Sequence, residues 1–193
     1  MADFDKLYKT AAELSDFSLP KYEALPEIEL YMDQLTGYLN KLLCKICRSE
    51  DGTPLTANRI NNYVKDGRIK RPVQKKYGKD HIAMLYMLCC TKQNLTLPEA
   101  SALLGMLEGD GAEVLYGEFA ALQESIVKKC AEELTSTTPD EVALRQKALE
   151  LVLRSTAERF IAEAIISTLT PEPVEEKKEK PKKEKKKETA KNK

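Results

Sequence analysis

The sequence has a single histidine, His81, and its longest apolar run, in Met84 to Cys90, is far short of the roughly 20 residues a membrane span needs. That argues against a transmembrane protein. The N-terminus, MADFDKLYKT, is acidic where a secretory leader is basic, and no apolar stretch follows it, so the expected compartment is the cytoplasm. Also missing are a nucleophile beside a base, a glycine-rich loop to cradle phosphate and a carboxylate pair in an apolar setting. His81 falls at a helix start and reads as a surface or capping residue. The expectation is therefore a protein that is not an enzyme and has no cofactor. No segment alternates apolar and polar residues with the period of a sheet, which leaves an all-α fold with at most a small wing.

Five cysteines, Cys44, Cys47, Cys89, Cys90 and Cys130, are odd in number and lie inside apolar helical patterns, which suits free thiols better than a disulfide framework. Cys44-x-x-Cys47 with Cys89-Cys90 resembles four zinc thiolates on paper. Adjacent cysteines seldom ligate one ion, and none of these is flanked by the tight turns of a zinc knuckle, so no metal is assigned.

The formal charge of zero conceals a sorted chain. Residues 1–54 carry a net −4, residues 55–92 a net +7 from nine cations against Asp66 and Asp80, residues 93–170 a net −7 and residues 171–193 a net +4. A compact basic segment between acidic ones points to a polyanion at one place.

Along the chain, residues 1–26 read as an N-terminal arm with a short helical pattern ended by Pro20 and Pro26. From Glu27, Ile28, Tyr31, Met32, Leu35, Tyr38, Leu39, Leu42, Leu43 and Ile46 follow the spacing of an amphipathic helix, which Ser49–Pro54 (SEDGTP) ends. Thr56 offers an N-cap to a short helix whose apolar face is Ile60, Tyr63 and Val64, and Gly67 offers a left-handed C-cap. RIKRPVQKKYG, with Pro72 inside it, reads as a basic hairpin or loop. Further helices are expected over about Lys79–Asn94, with Ile82, Leu85, Tyr86 and Cys89 inward, and over about Ala112–Leu134. Thr96-Leu97-Pro98-Glu99 is a capping box with proline at the first position, and Thr138-Pro139-Asp140-Glu141 repeats the grammar before a long helix to Leu169. The lysine-glutamate tail 171–193 has almost nothing to bury and reads as disordered. The division expected is an arm over 1–26, a central helical domain over 27–109, a C-terminal helical segment over 110–170 and the tail.

A helix that reads the major groove needs a short face of side chains able to hydrogen-bond base edges, with cations at its flanks for phosphates. Thr56, Asn58, Arg59, Asn61, Asn62 and Lys65 supply the face. Arg68, Lys70, Arg71, Lys75, Lys76 and Tyr77 supply the flank. Asparagine pairs bidentately with adenine and arginine with guanine.

TANRINNYVKDGRI followed by KKYGKDHIAMLYMLCCTKQNLTLPEASALL resembles the MerR-type winged helix-turn-helix domain. It is also similar, from about Leu25 to Leu107, to a bacterial family of no assigned role, domain of unknown function 1836. The resemblance implies that 56–67 is the reading helix, 68–77 the wing and 97–107 the helix after it, in a transcription regulator that binds double-stranded DNA. The MerR pattern has only a short turn before the reading helix, where this chain has SEDGTP. The likeness also implies that a C-terminal helix pairs two subunits. Here the candidate is Thr138–Leu169, with Leu149, Val152 and Phe160 on one stripe and Leu144, Leu151, Ile161 and Ile165 on others, giving a homodimer; the alternative is that the same residues pack on the chain's own core. The competing function is a protein-interaction adaptor that uses the basic patch. No small-molecule effector is named.

Overall fold

The computed structural model describes residues 4–47, 53–107 and 111–170. Seven α-helices account for most of them: α1 (Phe4–Ser15), α2 (Met32–Leu43), α3 (Ala57–Lys65), α4 (Lys79–Thr91), α5 (Leu97–Leu107), α6 (Ala112–Thr135) and α7 (Glu141–Leu169). Among the described residues, extended pairing is confined to two isolated antiparallel bridges, Leu30 with Tyr77 and Val73 with Lys76. The expected all-α class is what forms. The tail 171–193 and most of the acidic loop before Thr53 fall outside the described residues.

α4 is the central helix because it is apolar on nearly every side. Ile82, Ala83, Leu85, Tyr86, Met87, Leu88 and Cys89 are all buried, and a helix that is hydrophobic all round belongs inside. α2 presents Leu35, Leu39 and Leu43 to it, α3 presents Ile60 and Tyr63, and α5 presents Ala100 and Leu104. α6 adds Leu115 and Tyr116 to the same cluster, so the core runs on past residue 109 into the C-terminal segment. Each of these leucines, fully buried, contributes about 1.5–3 kcal/mol.

The helix ends follow local chemistry. Thr96 Oγ1 accepts from the Glu99 amide, and the Glu99 carboxylate accepts from the Thr96 amide at 2.8 Å. This is the expected capping box, with Pro98 at the second helical position rather than the first. The long helix begins two residues later than its sequence grammar suggests. Asp140, not Thr138, is its cap, accepting from the amides of Val142 and Ala143. α2 also starts later, at Met32. Ile28 and Tyr31, which extend its apolar pattern, are 81% and 55% exposed, and Leu30 instead exchanges two 2.9 Å backbone hydrogen bonds with Tyr77.

The N-terminal segment packs along α6. Ala11 and Phe17 are buried, the Tyr8 hydroxyl donates to the Thr137 carbonyl, the Leu19 amide donates to Glu124, and the Tyr116 hydroxyl donates to the Pro20 carbonyl. Leu25 continues from it into the central core.

Candidate nucleic-acid interface

α3 is built as a two-faced helix. Ile60 and Tyr63 are buried, while Asn58, Arg59, Asn61, Asn62 and Lys65 are exposed. At about 100° per residue, Asn58, Asn61, Asn62 and Lys65 share one outward face and Arg59 stands at its flank. Thr56 caps the start, its hydroxyl accepting from the Arg59 amide at 3.3 Å. The end is a Schellman motif: Gly67 has φ +70°, the Arg68 amide donates to the Tyr63 carbonyl at 2.8 Å, and the Gly67 amide donates to the Val64 carbonyl at 3.2 Å. A Cβ at position 67 would meet no atom, so the backbone conformation and not crowding is what favours glycine there.

A clamp holds this helix to α2. The Asn40 side chain donates to the Leu55 carbonyl at 2.8 Å and accepts from the Leu55 amide at 2.9 Å. Leu55 itself is fully buried. Asn40 was not read from the sequence as a site residue. Its signal is weak, a poor helix former on the half-buried edge of an amphipathic helix.

The basic segment after α3 folds as a hairpin. The Lys76 amide donates to the Val73 carbonyl at 2.8 Å, and the two residues between them, Gln74 and Lys75, have φ of 49° and 64°. Positive φ at both central positions is the type I′ pattern, whose twist suits a tight hairpin. The bridge from Tyr77 to Leu30 fastens its base to the strand-like segment ahead of α2.

Of the sequence-derived site residues, Lys65, Arg68, Lys70 and Arg71 are brought together. They line one cleft of about 360 Å³ between the end of α3, the hairpin base and α4, with Asp80 and His81 on its other wall. Lys75 is exposed at the hairpin tip. Lys76 is half-buried, its ammonium 5.5 Å from the centre of the Tyr31 ring. Arg59 donates to the Pro54 carbonyl at 2.8 Å, which steadies its guanidinium and leaves other donors of the fork open. Tyr77 does not belong to the surface. It is 3% exposed, and its ring packs edge-on against His81 at 5.3 Å, so it anchors the hairpin and cannot lay its ring on a ligand. Among the described residues, no carboxylate lies in ion-pair range of Arg59, Lys65, Arg68, Arg71 or Lys75.

His81 acts as a cap. Its Nδ1 accepts from the Gly78 amide at 3.2 Å at the start of α4. Nearby, the Tyr22 hydroxyl donates to Asp80; burial, then this bond and the charge of Asp80, raise the phenol well above its ordinary value. Among the described residues no cluster of three or more histidine, cysteine or acidic side chains is arranged to hold a metal ion, and no helix is long and apolar enough to cross a membrane.

The sequence profile of a family described as a domain of unknown function, DUF1836, matches residues 20–119. The chain belongs to this family. Its matched region begins ahead of the Leu30–Tyr77 bridge, includes α2 to α5, and ends in α6 at Phe119, a residue that packs on the central core. No curated protein and no solved structure matches the chain.

Proposed function

We propose that this DUF1836 protein is a sequence-specific DNA-binding transcription regulator, in which α2 and α3 form a MerR-like helix-turn-helix and the Val73–Lys76 hairpin is its wing. α3 enters the major groove with Asn58, Asn61, Asn62 and Arg59 toward base edges. Arg68, Lys70, Arg71 and Lys75 meet phosphates on either side. The observation that carries this reading is the pairing of an outward amide-rich helix face with Arg68, Arg71 and Lys75 beside it, which have no carboxylate in ion-pair range among the described residues. A protein that keeps several like charges together without neutralising them loses stability through their repulsion, and a polyanion relieves it. No step of chemistry is assigned to the chain.

The partner in this reading includes a second copy. One short helix contacts too few bases for a typical specific complex, and two-fold pairing places a second reading helix about 34 Å away on an inverted repeat. The surface for it is α7, whose outward side carries exposed Val142, Leu149, Leu153 and Phe160. That same apolar face is what favours the second reading, a protein-interaction adaptor.

Selection of bound duplexes from a random library tests the proposal. Enrichment of an inverted repeat, lost in Asn61→Ala and Asn62→Ala variants that fold normally, is the expected result. Recovery of no preferred sequence, with binding no stronger than to a scrambled duplex, contradicts it.

A further inference from the structure

A thiol from the turn after α2 and a thiol of α4 meet where α2 ends. Cys47 follows α2 closely and is 5% exposed. Cys90 lies in the last turn of α4, and the two Sγ atoms are 3.8 Å apart. The Cys47 thiol also lies 3.9 Å from the Cys89 carbonyl. Cys90, unlike Cys47, is reachable: it lines an open, mainly apolar groove of about 530 Å³ between α4 and α6, together with Ile46, Phe119, Leu122 and Gln123. A small solute that enters this groove meets Cys90 first and finds Cys47 behind it.

The separation is a thiol contact. A disulfide requires about 2.05 Å between the sulfurs, so oxidation draws the two side chains together from this contact distance. The surroundings divide the labour between the pair. Hydrogen bonding from Cys47, and beyond it from Gln123 and Tyr86, holds the Cys90 thiol below its ordinary value against the opposing effect of burial. The hydrogen bond to Cys90, and then burial, raise Cys47 far above its own. Tyr86 and Gln123 are themselves joined, hydroxyl to side-chain oxygen at 2.9 Å. The neighbouring Cys89 is pushed up to about 12, chiefly by burial, and stays out of the chemistry.

We propose that Cys90 and Cys47 are an oxidisable dithiol, converted by hydroperoxides into an intramolecular disulfide that ties the end of α2 to α4. The Cys90 thiolate attacks a peroxide oxygen, the O–O bond breaks, hydroxide departs, and Cys90 becomes a sulfenic acid. Cys47 then attacks the Cys90 sulfur as it gives up its proton. The S–O bond breaks, and the departing hydroxide takes that proton as water. Two thiols and one hydrogen peroxide give one disulfide and two waters, the sulfurs losing two electrons and the peroxide gaining them.

The loop so closed, residues 47–90, contains α3 and the hairpin. Oxidation therefore fixes both ends of the segment that carries the candidate interface, although the chemistry stands whether or not that surface binds DNA.

The test uses the full chain, reduced, then treated with one equivalent of hydrogen peroxide, denatured, alkylated and mapped by peptide mass spectrometry without reductant. The expected product is a Cys47–Cys90 linked peptide that dithiothreitol reverses, with Cys44 and Cys130, both exposed, remaining alkylatable. In Cys47→Ser, Cys90 should accumulate as a sulfenic acid captured by dimedone. The map of the parent needs no variant, so it decides the matter even if a serine disturbs folding. The proposal is overturned if Cys47 and Cys90 both remain alkylatable while other cysteines oxidise, or if Cys90 passes to the sulfinic acid with no linked peptide.

Discussion

The surface around α3 and the surface of α7 solve opposite problems. On α3 the apolar side chains, Ile60 and Tyr63, point into the core, and among the described residues Arg59, Lys65, Arg68 and Arg71 around them have no carboxylate in ion-pair range. On α7 the arrangement is reversed. Its inner side turns charge toward the chain: Glu133 of α6 accepts from Lys147 at 3.2 Å and from Arg154 at 3.0 Å, and Glu150 and Glu158 extend the network. Its outer side carries Val142, Leu149, Leu153 and Phe160 on one stripe, each more than half exposed, and Ile161, Ile165 and Leu169 are exposed farther along the helix on the stripe of Lys147 and Arg154. Ile166 is the residue of α7 that is fully buried. A helix serving its own core would be turned the other way. The difference teaches that each surface keeps outward what its own domain cannot satisfy, cations and amides in one case and apolar area in the other.

The comparison is sharpened first by stability, where the effects are largest. Leu39→Ala removes a fully buried side chain and should cost about 2–5 kcal/mol; Leu153→Ala, on a side chain 61% exposed, should change the stability of the isolated chain by less than about 0.5 kcal/mol. Chemical denaturation at low protein concentration reads both. If Leu153→Ala were as costly as Leu39→Ala, the outer face of α7 would be core, and the contrast would fail.

Smaller are the expected effects on DNA. Asn62→Ala should weaken the preferred duplex by about 1–3 kcal/mol and relax its sequence, whereas Arg71→Ala should weaken all duplexes alike and reduce the salt slope by about one. Titrations by fluorescence anisotropy at several salt concentrations separate the two. Parallel losses with unchanged slope would mean that neither residue has its assigned part.

The charge network of α7 supplies a pH test. Hydrogen bonds from Arg154 and Lys147 hold the Glu133 carboxyl below its ordinary value. A depressed carboxyl stabilises the fold fully above the range where an unfolded glutamate titrates, near 4.3, and that contribution is lost as pH falls through the lower folded value. Melting of the parent and of Glu133→Gln should therefore differ at neutral pH and converge in acid. A gap that is constant with pH would detach Glu133 from this account. The smallest effect belongs to the hairpin: Gln74→Asn, at φ 49°, relieves a left-handed position that asparagine accepts more readily and should stabilise the turn by a few tenths of a kcal/mol. Reduced hydrogen exchange at the Lys76 amide is the expected reading, and faster exchange the contrary one.

What the sequence discloses is mostly what is local. The caps at Thr56 and Thr96, the glycine at 67, the buried side of α4 and the span of α6 all follow from residues a few positions apart, and all form as expected. Nonlocal pairing is where the reading departs. Ile28 and Tyr31 fit a helical stripe, yet Leu30 pairs with Tyr77, some 47 positions on, and keeps the chain extended until Met32. Nothing near Asn40 announces Leu55 as its partner. The Gln74-Lys75 turn has none of the asparagine and glycine that usually mark a type I′ hairpin, so its geometry was illegible although its basic character was plain. Tyr77 has the pattern of a site residue and the burial of an anchor. Val142, Leu149 and Phe160 were legible as apolar but not as outward, because periodicity gives a face without saying what it meets.

The central claim is that the cations beside α3 meet phosphate, and the salt dependence of duplex binding tests it most directly. With about four phosphates neutralised by Arg68, Lys70, Arg71 and Lys75, the logarithm of the association constant should fall linearly with the logarithm of salt concentration at a slope near −3.6, and Arg68→Ala with Arg71→Ala should flatten it by about two. Binding that is insensitive to salt, or a slope that the two substitutions leave unchanged, would contradict the account.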